Sequence, residues 1–281
     1  LICDSNKTTS PASSPFSSEV PELLQLHLDH LKASSISVEV IKERGYRSVL
    51  GKSELRQLGF ASAQCRVPGI MMPIWSPSGR NTNYQYRPDN PRLNKDGKPV
   101  KYEVPKGMPL CIDVPPRCRA LIGDPAIPIF VTEGVKKGDA LASRGACAVA
   151  LLGVWGFVGR NLQGGITTLS DWREIALNGR RVFIAYDSDV VLKRHVQQAL
   201  DILSQFLARR GADVWVLYLP SPDGSKVGID DYLSTHSLDD AIRLARKSEE
   251  TAALHGGYRV EDGRICRVTI ERGGVERVEP L

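Results

Sequence analysis

Apolar positions recur with two different periods along this chain. In "SEVPELLQLHLDHLKASS" the leucines fall at helical spacing, and "SVEVIKERGY" predicts a second short helix behind a serine cap, so residues 20–45 read as helical. From about 66 to 118 the texture changes to short β-like runs cut by Pro, Gly and Asn, as in "VPGIMMPIWSPSGRNTNYQYRPDN". From 126 to 220 apolar runs alternate with helical patterns: "AIPIFVT", then "KKGDALASR", then "ACAVALLG", then "RRVFIAY". An amphipathic helix follows, with Val196, Leu200, Leu203 and Leu207 on one stripe and Gly211 as its stop, before the strand "DVWVLYLP". A last helix is expected over "SLDDAIRLARKSEE", opened by Ser237 and Asp240 as a capping box. The tail "GGYRVEDGRICRVTIERGGVERVEPL" reads as two β-like runs.

Near-continuous apolar strands alternating with helices imply an α/β fold, with a parallel sheet covered on both faces. The expected layout is a disordered Ser/Thr/Pro-rich lead-in over 1–20, an N-terminal mixed basic subdomain over 21–122 and the parallel-sheet domain over 123–250. A β-like extension over 251–281 would begin a further module. No internal repeat is apparent. In such sheets the functional crevice lies beyond the carboxyl ends of the strands. Glu133 follows "IPIFVT", Asp187 and Asp189 follow "VFIAY", and Asp230 and Asp231 lie in the loop after "DVWVLYLP". Acids therefore recur after three successive strands of one sheet.

Composition narrows the class without naming it. The 281 residues carry 42% hydrophobic and 25% charged positions, the profile of a soluble globular protein. No run approaches the ~20 apolar residues of a membrane-spanning helix, and the opening lacks the basic and apolar regions of a secretory signal. No membrane partner is expected. The chain opens on Leu rather than Met, which leaves room for sequence upstream. A net charge of +5 is too mild to identify a nucleic-acid partner alone. The cysteines, Cys3, Cys65, Cys111, Cys118, Cys147 and Cys266, form no C-x-x-C pair, which argues against a zinc ribbon and fits reduced thiols in the cytoplasm.

Two aspartates one residue apart repel each other unless water or a cation separates them. A magnesium ion takes one or two carboxylates together with waters and phosphate. A D-x-D in extended chain would send both side chains to one side, and a further carboxylate from a neighbouring strand could hold a second ion or move a proton. Each acid also has a plainer reading. A D-x-D occurs in many surface turns, Glu133 could complement a helix dipole, and Asp230 and Asp231 could cap the turn before "YLSTH".

The segments "VTEGVKKGDAL", "VFIAYDSD" and "LPSPDGSKVGIDDYL" resemble the three acidic motifs of the Toprim domain, shared by bacterial-type primases, topoisomerases and some nucleases. The primase branch fits best, because "LKASSISVEVIKERGY" is similar to the helical lead-in of the primase catalytic core. "MMPIWSPSGRNTNYQYRPDN" followed by "KPVKYEVPKG" is similar to its basic subdomain. The stretch over about 23–235 also resembles Toprim-like domains in replication proteins of plasmids, prophages and integrated elements, often fused to a helicase.

This resemblance implies a Toprim-like parallel sheet flanked by helices and a primase-like nucleotidyltransferase acting on single-stranded DNA and nucleoside triphosphates. A fused or associated helicase would be a further partner. It makes Glu133 the general acid/base or a metal carboxylate, Asp187 and Asp189 the main ligands of Mg²⁺ (or Mn²⁺), and Asp230 a further acid. Lys136, Lys137 and Asp139 become candidate nucleotide contacts. Three departures mark this chain. "EGVKKGDAL" is two residues longer than the primase pattern E-G-x-x-D-A-L, Val190 and Val191 follow the D-x-D in place of Ala-Gly, and no cysteine-rich zinc module is present.

A single-stranded template is held by cations that track phosphates and by aromatic faces on which bases stack. Arg80, Arg87, Arg92, Lys95, Lys98 and Lys101, with Tyr84, Tyr86 and Tyr102, have that composition, as does an ordinary solvated surface with tyrosines packed below. Trp155 reads as part of a turn and His195 as incidental on its helix. Two alternatives to the primase reading stay open: a Toprim nuclease, and a non-catalytic single-stranded-DNA-binding module serving a helicase.

Overall fold

The computed structural model describes residues 23–160, 163–191, 193–221, 225–248, 258–261, 264–270 and 276–280; the lead-in expected over 1–20 lies outside them. Helices α1 (Gln25–Ala33) and α2 (Val38–Arg44) come first. Ser37 caps α2 by accepting from Val40 N at 3.4 Å, and Gly45 ends it at φ 82°, a left-handed conformation that a Cβ disfavours. Strand β1 (Arg47–Val49), helix α3 (Lys52–Gln57) and strands β2 (Gly69–Trp75) and β3 (Asn81–Pro88) follow, with the strands in antiparallel order β1-β2-β3. This is the mixed N-terminal region that the Pro- and Gly-cut runs predicted.

Next come β4 (Ile129–Glu133), α4 (Val135–Ser143), β5 (Cys147–Leu151) and a hairpin of β6 (Val158–Arg160) and β7 (Ile166–Thr168). Then follow β8 (Arg181–Ala185), α5 (Arg194–Arg209), β9 (Asp213–Leu217), α6 (Ile229–Tyr232), α7 (Leu238–Arg243) and β10 (Ala245–Lys247). The main sheet has the order β10-β9-β8-β4-β5. Strands β9, β8, β4 and β5 are parallel, and β10 is an antiparallel edge. The fold is therefore mixed α/β with a mostly parallel five-stranded sheet flanked by helices.

Both faces of this sheet are covered, which explains the unbroken apolar runs. Ile129, Val131, Val149, Val182 and Ile184 face a core that includes Trp172 and the α5 stripe of Val196, Leu200, Leu203 and Leu207. Each such aliphatic side chain is worth about 1.5–3 kcal/mol on burial. Phe130, Ala148, Phe183 and Ala185 face the opposite core, together with α4, α6 and α7. That second core also holds Leu31, Val40 and Ile41 of the lead helices and Ile70, Met72 and Ile74 of β2. The N-terminal region and the main sheet thus share apolar packing across the boundary expected at 122/123.

Two expectations need correction. The helix expected over "SLDDAIRLARKSEE" stops at Arg243, and Ala245–Lys247 instead pair with β9, Ala245 opposite Leu217, which closes an open edge. The tail holds three antiparallel strands rather than two runs, β11 (Tyr258–Glu261), β12 (Arg264–Ile270) and β13 (Glu276–Pro280). The β6–β7 hairpin has no strong period in sequence and was not foreseen. Among the described residues no helix is long and apolar enough to cross a membrane, and Cys65, Cys111, Cys118 and Cys147 are buried.

Candidate functional site

Strand β4 ends at Glu133, and the chain turns at once into α4 through Gly134, at φ 88°. The first turn of α4 carries Lys136 and Lys137 and no acid, an arrangement that opposes the helix dipole and requires partners for both lysines. Lys136 Nζ donates to Ser34 Oγ at 2.6 Å and lies 3.2 Å from His30 Nε2. Lys137 Nζ lies 3.4 Å from Glu133 Oε1 and pairs with Asp187 Oδ1.

Asp187 and Asp189 follow β8, but not in extended chain as expected. The strand ends at Ala185 and residues Ser188–Val191 form a 3₁₀ turn, held by Val190 N donating to Asp187 O at 3.0 Å. The two carboxylates meet through a tight turn and a shared cation rather than through strand alternation. That cation is Lys226, whose Nζ lies 2.5 Å from Asp187 Oδ2, 3.7 Å from Glu133 Oε1 and 3.7 Å from Asp189 Oδ2. Reciprocal bonds between Ser188 and Val227, each 2.9 Å, fix the Lys226 segment against the turn. Lys193 also pairs with Asp189 Oδ2, at 2.5 Å.

Asp230, on α6, faces the same space. An ideal Cβ at Gly228 would stand 2.6 Å from Asp230 Oδ1, 2.9 Å from Lys137 Cε and 3.1 Å from Asp187 Oδ1, so a bare backbone is needed there. Burial pushes Asp230 up from its ordinary value, against the pull of Lys137 and Lys136. Burial and the hydrogen bond with Asp187 push Glu133 up to about 7. For Asp187 burial opposes the charge, but the bond from Glu133 and the ammonium groups of Lys137 and Lys226 hold it below the usual range.

The four acids fit a hard divalent ion by donor type, all oxygen, and one buried oxygen, Asp230 Oδ1, lacks a hydrogen-bond partner. Among the described residues, however, no group of three or more His, Cys, Asp and Glu side chains stands at metal-ligand spacing. Glu133, Asp187 and Asp189 gather around ammonium groups instead.

Beside the acids is a cavity of about 360 Å³, lined by Tyr102, Gln85, Lys136, Lys137, Lys226 and Asp230 among others. Tyr102 is part-exposed, and the Arg87 guanidinium lies 5.7 Å from its ring centre. Arg87 Nε also donates to His30 Nε2 at 3.0 Å. Arg87 and Lys136 both donate to one ring nitrogen, so His30 is neutral with its proton on Nδ1.

Several sequence candidates fall elsewhere. Asp139 has no exposed surface and accepts from Arg44 and Tyr46, so it is a structural acid rather than a nucleotide contact. Arg92 is committed to Glu103 at 2.5 Å. Tyr86 is fully buried, its hydroxyl donating to Arg66 O at 2.6 Å, which removes it as a stacking platform, and Tyr84 packs against the same small core. Arg80, Lys95, Lys98 and Lys101 are exposed and line no part of the cavity. His195 is exposed on α5, and Trp155 is part-exposed and stacked on Phe157. The sequence reading missed Lys226, His30 and Gly228; Lys226 and Gly228 lie within four residues of Asp230, inside the quoted third motif.

The family described as a domain of unknown function, DUF3854, matches residues 119–240. Comparison with curated proteins finds no match. The fold is similar to the Aquifex aeolicus primase (zinc-binding and RNA polymerase domains), at TM-score 0.55 and 16% identity over 82% of this chain and 58% of that one. It is similar to a DNA primase domain from Pseudomonas aeruginosa, at TM-score 0.54 and 18% identity over 82% and 75% of the two chains. It is also similar to the DnaG primase catalytic domain bound to single-stranded DNA, at TM-score 0.51 and 19% identity over 78% and 71%. This chain thus spans less than two thirds of the Aquifex chain.

Proposed function

We propose that this chain is a primase-like nucleotidyltransferase core that acts on single-stranded DNA with nucleoside triphosphates. It would work in the cytoplasm, in replication of a plasmid, prophage or integrated element beside a fused or associated helicase, and its parallel-sheet domain would be a Toprim domain. One observation carries the reading: Glu133, Asp187 and Asp189 all lie within 3.7 Å of Lys226 Nζ at the carboxyl rim of the parallel sheet. The likeness in fold to primase cores gives that rim its chemical direction.

In this reading Asp187, Asp189, Glu133 and Asp230 would hold Mg²⁺ or Mn²⁺. A bound divalent ion would neutralise and polarise the phosphoryl oxygens. Lys136 and Lys137, at the N-terminal turn of α4, would bind the triphosphate, whose charge suits both ammonium groups and helix N–H groups. Glu133 Oε would take the proton of the attacking hydroxyl. Tyr102 and Arg87 would position a template base and its phosphate beside the cavity.

The ion pairs of Lys137 and Lys226 with the acids favour a second reading, in which the fold binds single-stranded DNA and has lost turnover. The test uses labelled single-stranded DNA with nucleoside triphosphates and Mg²⁺ or Mn²⁺. Template-dependent incorporation supports the primase reading, and shortened DNA would make the site a nuclease. Binding without either product, unchanged when all four acids are replaced, would establish the binding module.

A further inference from the structure

The acidic cluster contains two lysines held in different ways. Lys137 lies on α4, which is locked from below: Asp139, two residues along, is bound by Arg44, and Gly138 packs against Ala150 so closely that a Cβ would stand 3.2 Å from it. Its side chain is 17% exposed and wedged between Glu133 and Asp187. Lys226 comes from the segment between β9 and α6, with a side chain 53% exposed, and it reaches inward to touch three acids. A long stem whose charged end lies near water can withdraw at small cost.

We infer that Lys226 is a tethered counter-cation occupying the seat of a divalent ion among Glu133, Asp187 and Asp189, and that ion binding displaces it while Lys137 stays. The inference rests on the metal reading above. It explains why the acids crowd together without metal-ligand spacing. An ammonium group supplies one charge and three donors, so the carboxylates adjust to it and leave Asp230 Oδ1 without a hydrogen-bond partner. It also makes the site self-neutralising. Four acids, Glu133, Asp187, Asp189 and Asp230, would otherwise repel one another in a partly dry crevice.

Competition sets the sign of the test. Removing a cation that must leave before the ion enters tightens ion binding, whereas removing a structural strut lets the acids splay and weakens it. Mn²⁺ binding to the full chain is followed by the paramagnetic resonance signal of free Mn²⁺, for the parent, Lys226→Gln, Lys226→Arg and, as a control, Lys98→Gln at an exposed position. Lys226→Gln is expected to bind Mn²⁺ at least about tenfold more tightly than the parent, with Lys226→Arg and Lys98→Gln close to the parent. Without metal, Lys226→Gln is expected to melt at a lower temperature than the parent and to recover on adding Mn²⁺, which also reports that the variant is folded. Equal or weaker Mn²⁺ binding by Lys226→Gln overturns the inference and leaves the metal reading standing. Absence of Mn²⁺ binding by every variant, the parent included, overturns both.

Discussion

Arg44 Nε donates to Asp139 Oδ2 at 2.5 Å across 95 positions of chain, between two side chains with no exposed surface. The same guanidinium also binds Asp113 at 2.7 and 2.9 Å and the Pro73 carbonyl at 3.0 Å, so all five of its N–H groups are used. This one side chain ties α2, the end of β2, the edge of β5 through Asp113, and α4. Replacing Arg44 with Met leaves two buried carboxylates unpaired and is expected to cost about 3–5 kcal/mol, read as a shift in the urea unfolding midpoint.

Gly228 has φ −93°, so its backbone would tolerate a side chain and only space forbids one. Gly228→Ala pushes Asp230, Lys137 and Asp187 apart. The expected loss is about 1–3 kcal/mol in stability, together with weaker Mn²⁺ binding. Calorimetry with and without the ion measures both.

Asp187→Asn keeps the shape of the side chain and removes the charge that Lys137 and Lys226 contact. Template-dependent incorporation should fall by about two orders of magnitude or more, while circular dichroism stays unchanged. Full incorporation by this variant would remove Asp187 from the chemistry.

Tyr102→Ala is expected to weaken single-stranded DNA binding by about 1–3 kcal/mol, the usual worth of a base on an aromatic face. Tyr86→Phe, at a buried ring, should leave that affinity unchanged and lower only thermal stability. Fluorescence anisotropy at fixed salt separates the two.

Burial, followed by the charges of Lys136 and Arg87, lowers the His30 pKa from 6.5 to about 4. The unfolded chain therefore takes up a proton that the folded chain refuses. The contribution of a neutral His30 is fully present above pH 6.5 and is lost as the pH falls through 4. His30→Gln can still accept from Arg87 and Lys136, so its stability should decline less than the parent's over that window. Unfolding midpoints measured from pH 7 to pH 4 report the difference.

Much of the architecture is legible in residue order, because period is a local property. Ile129–Val131, Cys147–Leu151 and Val182–Ala185 are apolar without interruption since both faces of their sheet are covered, and the α5 stripe repeats every three or four residues because one face is covered. The rule that crevices lie beyond the strand ends also locates Glu133, Asp187 and Asp230 before any coordinate is known. Residue order cannot tell a buried charge from a solvated one. Asp139 and Arg44 look like surface helix residues, as Arg180 looks like a loop cation, yet Arg44 and Arg180 are fully buried and each binds several oxygens. Lys226 reads as one more loop lysine, and Tyr86 as exposed as Tyr102. Which side chains meet depends on contacts between positions far apart in the chain, and those follow from how the two sheets and α4 pack together. That packing placed a lysine, rather than open space, between the acids.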